Sequence, residues 1–164
     1  TTIEQLKTIQ EEIIPTLEQE VKHLIPEDSM EVLKMNEWTD QNPKTGAAGI
    51  YQFTEERWDE ISETNPDLGL TENGRVSKDP REQESAMKWE NEDNAKRLSA
   101  FTVPINNSTL YGAHRFGVDN YTMIHIAAEA NSKDKLTNIV DNMKLFEGFK
   151  TVGQVMKYVK SKTD

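Results

Sequence analysis

Glu37 is the first residue whose type and place point to chemistry. It lies on the helical face of Met30 and Leu33, at i, i+3 and i+7, so a carboxyl group closes an apolar stripe. A carboxyl there either meets water at a frayed helix end or tucks against the core. In the second environment desolvation raises its pKa and keeps it protonated, as a general acid requires. Beyond it comes Thr45-Gly46-Ala47-Ala48-Gly49-Ile50-Tyr51-Gln52-Phe53-Thr54. This reads as a turn, a small-residue crossing and a short strand. On that strand Ile50, Gln52 and Thr54 face one way, and Tyr51 and Phe53 the other. Ala47, Ala48 and Gly49 leave room for a ligand or another segment to approach the backbone. Tyr51 and Gln52 offer ring stacking and amide hydrogen bonds; the plainer reading is packing for Tyr51 and Phe53 and a surface amide for Gln52. Further on, the Tyr111 phenol has the chemistry to orient a carboxyl. Read alone, Tyr111 is a half-buried aromatic, and His114 a cap or surface residue. An acid beside such a wall suits glycosidic bond cleavage, which needs a proton donor at the leaving oxygen and support for an oxocarbenium-like state. Asp40 is the sequence-near candidate for a second carboxylate. Glu31 is an alternative acid, off the Met30/Leu33 face.

The elements that must position these groups are mostly helical. Ile3, Leu6, Ile9, Ile13, Leu17, Val21 and Leu24 recur at three and four residues, a helical stripe that Pro15 breaks or kinks. Residues 1–25 therefore form a packing or docking segment, and 26–164 the main domain. Pro26-Glu27-Asp28 opens the helix that leads to Glu37. Thr54 caps a helix through Trp58 and Ile61 that stops at Asn65-Pro66. Asp79-Pro80 starts the longest polar helix, reaching about Phe101, with Asn91 and Asn94 beside its inner face and expected to meet water. The acids from Glu90 to Asp93 read as a solvated face. Ser108 caps a helix that Gly117 ends, and another follows from about Asp119. Two short helices are expected around Leu136 to Met143 and Val152 to Val159. The fold class is α+β, mostly α, with one small β element.

Composition narrows the partners. The chain has 164 residues, 35% hydrophobic and 29% charged, enough for one domain with a core. Three Trp, four Tyr and five Phe argue against disorder. Beginning at Thr1, it reads as a processed or excised piece. No apolar run approaches the ~18 residues of a membrane span. Zero Cys excludes disulfides and thiolate chemistry. His23, His114 and His125 are too scattered for a zinc motif, and no metal or cofactor is implied. A net charge of -10 disfavours nucleic acid. It is also an odd balance for a freely diffusing enzyme with an anionic substrate, and easier to understand if another component delivers it.

The acid at a helix end, the Gly46-Ala47-Ala48-Gly49 turn and Tyr51-Gln52-Phe53 followed by Trp58 together resemble the lysozyme-like soluble lytic transglycosylase superfamily. Leu110-Tyr111-Gly112-Ala113-His114-Arg115-Phe116-Gly117 is similar to a motif of its phage-tail branch, with Tyr, His and Gly at matching spacing. The likeness covers roughly Pro26 to Ala128. Trp38 stands where the family usually has Ser after the acid, and the loop from acid to turn is shorter. The resemblance implies a lysozyme-like fold with the β element beside a cleft. It implies cleavage of the β-1,4 bond between N-acetylmuramic acid and N-acetylglucosamine in peptidoglycan, with Glu37 as acid and Tyr51, Gln52, Tyr111 and His114 orienting sugar or acid. It implies a virion-associated protein acting on the bacterial wall, in the periplasm or outside, with other tail proteins as partners of the N-terminal helices. A lysozyme-type muramidase and an inactive structural or glycan-binding virion protein of the same fold are the alternatives.

Overall fold

A computed structural model describes residues 3–17, 21–34, 42, 46–71 and 75–163, the side chains of 13–17 excepted. The chain divides into two compact units: Thr1–Val32 with Glu92–Asp164, and Leu33–Asn91. The described residues form seven α-helices: α1 (Ile3–Leu17), α2 (Ser29–Leu33), α3 (Glu55–Thr64), α4 (Pro80–Ala100), α5 (Asn107–Phe116), α6 (Val118–Ala130) and α7 (Val152–Thr163). Among the described residues there is no strand, and the β pairing consists of two isolated antiparallel bridges, Ala48 to Phe53 and Lys135 to Thr151. The chain is mostly helical, as expected, but the β half of the expected α+β class reduces to these bridges.

In the first unit, α1 packs on α6, and α5, α6 and α7 pack on one another. The stripe read at the N-terminus is what brings α1 in: Leu6 and Val21 are buried. Gln10, also buried, donates through Nε2 to the Arg97 carbonyl at 3.0 Å. Leu6, Gln10 and Val21 are thus in this unit's core, whereas Ile9 and Leu24 of the same stripe are exposed. Helix α1 runs past Pro15 to Leu17, and Lys22–Leu24 form a separate 3-10 turn. Gly112 lets α5 and α6 meet closely, since a Cβ there would run into the Tyr121 ring. Phe116 stacks on Phe146 at 5.0 Å and meets Phe149 and Tyr158 edge-on, closing the aromatic end of the core. The start of α5 is set by Asn106, not Ser108. Its Oδ1 accepts from Thr109 N while Thr109 Oγ1 accepts from Asn106 N, a reciprocal cap. The expected Leu136–Met143 helix is two 3-10 turns, Leu136–Asn138 and Met143–Phe146.

In the second unit, α3 is capped by Thr54 as its sequence requires. Trp58, Ile61, Phe53 and Met87 are fully buried there, with Phe53 edge-on to Trp58 at 5.5 Å. Helix α4 is amphipathic by size rather than by polarity. Within this unit its buried side carries Gln83, Glu90 and Asn91 besides Ala86 and Met87; Asn94, Ala95 and Leu98, buried as well, belong to the first unit. Both asparagines are inside, not in water. Glu90 leaves the solvated face as well: its side chain is 5% exposed and its Oε1 accepts from Arg57 Nε at 2.6 Å. Among the described residues, no helix is long and apolar enough to cross a membrane.

Candidate functional site

The site expected from sequence divides between the units. Glu37 and Asp40 lie outside the described residues. Tyr51 and Gln52 belong to the second unit, Tyr111 and His114 to the first. Glu31, in the first turn of α2, is an exposed carboxylate.

The small-residue segment folds as a tight turn rather than a strand. Ala48 and Phe53 exchange both backbone hydrogen bonds, at 3.0 and 3.1 Å, and Gln52 N closes the turn on the Gly49 carbonyl at 3.1 Å. Three residues take positive φ: Gly46 at 76°, Gly49 at 85° and Gln52 at 54°. Gly49 is required twice, because a Cβ there would also run into the Gln83 side chain. Gln52 tolerates its left-handed backbone because its Nε2 donates to the Gly49 carbonyl at 2.8 Å. The expected alternation along a strand therefore fails. Tyr51 and Phe53 are both buried, so the Tyr51 ring has no face free to stack on a sugar. Its hydroxyl instead donates to Glu84 Oε1 at 2.8 Å, which holds an exposed carboxylate in one orientation.

Gln83 is the residue that sequence reasoning missed. It is fully buried, accepts from Tyr51 N at 3.2 Å, and donates through Nε2 to the Ser77 and Ala48 carbonyls at 2.7 and 3.3 Å. One side chain thus ties the turn to α4 and to the segment before it. The available signal was its place one turn ahead of Met87 on α4, which put it on the inner face. Nothing in the sequence names its partners, because Tyr51 N, Ala48 O and Ser77 O are backbone groups.

In the first unit, Tyr111 is buried at 6% exposure in the middle of α5. His114 is half-buried in the last turn of the same helix, next to Arg115. His125, on α6, is also buried. Burial holds its pKa below 6.5, with the Glu129 carboxylate at 3.6 Å from Nδ1 pulling the other way. Among the described residues no group of three His, Asp or Glu side chains is placed to hold a metal ion.

Comparison of the chain with protein-family models, with curated proteins and with solved structures gave no match.

Proposed function

We propose that this protein is a lysozyme-like, peptidoglycan-cleaving enzyme of the lytic transglycosylase type, carried by a phage virion and acting on the bacterial wall. Glu37 protonates the leaving oxygen of the β-1,4 bond between N-acetylmuramic acid and N-acetylglucosamine. It then takes the proton of the muramic acid's 6-hydroxyl as that oxygen attacks the anomeric carbon. Gln52, Tyr111 and His114 orient sugar or acid, and Tyr51 acts through its hydroxyl. The reading is supported by the motif it rests on. Gly46-Ala47-Ala48-Gly49 makes a turn that needs its glycines, and Gln83 fastens that turn. Clearance of purified cell walls tests it. Glu37→Gln should keep the fold and lower the rate by ~100- to 10,000-fold, the usual loss of a general acid. Full clearance by that variant would end the assignment. A wild type that binds walls without clearing them would leave a structural, glycan-binding virion protein instead.

A muramidase is the second reading, favoured by the Tyr51–Glu84 pair. A hydrolase needs a second carboxylate, as base or nucleophile. Glu84 is exposed and oriented, as such a group must be. Asp40 is the other candidate. Mass spectrometry of the products separates the two: transglycosylase products end in 1,6-anhydromuramic acid and are lighter by one water. Hydrated reducing ends, lost in Glu84→Gln or Asp40→Asn, would make the protein a hydrolase.

A further inference from the structure

A cavity of about 740 Å³ opens in the first unit, and none of the residues assigned a role above lines it. Its lining combines the first residues of α5 with Tyr121 and His125 of α6 and Lys157 and Lys160 of α7. The volume is that of a small-molecule site. The lining contains two lysines and no carboxylate. In a chain of net charge -10, α7 carries three lysines and no acid at all. Lys157 and Lys160 are exposed and have no ion-pair partner among the described residues.

At the mouth, α5 supplies donors. The Asn106 cap takes Thr109 N, and the Asn106 carbonyl takes Leu110 N. The amides of Asn107 and Ser108 keep no partner among the described residues. Free amides at a helix N-terminus carry partial positive charge and suit an anion. A helix start alone would mean little, and lysines near the end of α7 also complement that helix's own dipole.

Tyr121 is what those explanations leave over. It is 1% exposed, wedged against Gly112, yet its hydroxyl has no hydrogen-bond partner among the described residues. That oxygen is not among the unpartnered atoms sealed from solvent, so it opens onto the cavity its residue lines. A buried phenol normally finds a partner. His125 is 9% exposed, and its sealed Nδ1 makes no hydrogen bond, with Glu129 Oε1 at 3.6 Å. Two carboxylates stand beside lining residues: Asp28 accepts from Asn107 Nδ2 at 3.0 Å, and Glu129 faces His125 Nδ1, so the lysines must outweigh them.

We infer that this cavity binds a small polar molecule through its phosphate or carboxylate group. Lys157 and Lys160 supply charge, the Asn107 and Ser108 amides hold the anionic oxygens, and the Tyr121 hydroxyl donates from the floor. The inference does not depend on wall cleavage, because none of these residues belongs to the Glu37 site.

Backbone-amide NMR tests it, with inorganic phosphate in one titration and acetate in the other, at fixed ionic strength. Saturable shifts should gather at Asn107, Ser108, Tyr121 and His125. Saturation by one probe alone names the group that is bound. The double substitution Lys157→Gln/Lys160→Gln should weaken binding by about tenfold or more, and Tyr121→Phe by severalfold, a hydrogen bond to a charged group being at stake. Both changes leave the fold intact, since the lysines are exposed and the hydroxyl holds nothing. No saturation with either probe, or saturation that the lysine substitutions do not touch, would overturn the inference.

Discussion

Gly49 shows how much one residue decides in this chain. Its backbone sits at φ 85° and its missing Cβ is the space that the Gln83 amide occupies. Gly49→Ala should therefore lower stability by about 2–5 kcal/mol, combining left-handed strain with overpacking. Gly69 is the control: its φ is 65°, but nothing lies within 4 Å of where an added methyl would sit, so Gly69→Ala should cost only about 1–2 kcal/mol. Urea midpoints of the two variants separate packing from backbone strain. Gln83→Leu keeps volume but abandons Tyr51 N, Ala48 O and Ser77 O, and should cost about 2–4 kcal/mol. Arg57→Met would take the guanidinium from buried Glu90, with a loss of about 2–4 kcal/mol, below the figure for a deeper pair because Arg57 is 24% exposed.

Helices explain why the N-terminal stripe is more than a docking device. Leu6 and Val21 sit in the core of the first unit, and Gln10 satisfies a carbonyl at the end of α4. A chain starting at His23 should lose the cooperative unfolding transition of that unit, read by near-ultraviolet circular dichroism. An unchanged transition would return the segment to a docking role. At the other end, Asn106→Ala breaks the reciprocal cap of α5 and should cost about 1 kcal/mol, whereas Ser108→Ala leaves the cap in place.

For the whole molecule, acid is the informative stress. Burial holds the His125 pKa under 6.5, so the unfolded chain takes up a proton that the folded chain resists. That contribution to stability is complete above pH 6.5 and is lost as pH falls through the lower folded value. Glu82 acts further down. Burial raises its pKa, but hydrogen bonds from Ser77 Oγ and Thr71 N outweigh burial and bring it below 4.5. Its contribution is present above pH 4.5 and lost as pH falls through its folded value. Urea midpoints should hold near neutrality and fall in two stages, with His125→Asn flattening the first and Glu82→Gln the second.

The sequence by itself determined most of the helices. Periodicity, Thr54, Pro80 and Gly117 act through local backbone geometry, which needs no distant partner, and the helices they mark are α1, α3, α4, α5 and α6. It also marked Gly46 to Phe53 as special, because glycine and alanine in that density are rarely idle. Only the tertiary structure decided what that segment is. A turn and a strand share the same small and aromatic residues. The choice fell to Gln83, far along the chain, which bonds backbone groups that no side-chain pattern records. Burial of Asn91, Asn94 and Glu90 was hidden for a related reason. Polarity predicts water only when no partner is near, and Arg57 reaches Glu90 from another helix. The cavity under Tyr121 was equally invisible, since it exists only where α5, α6 and α7 come together.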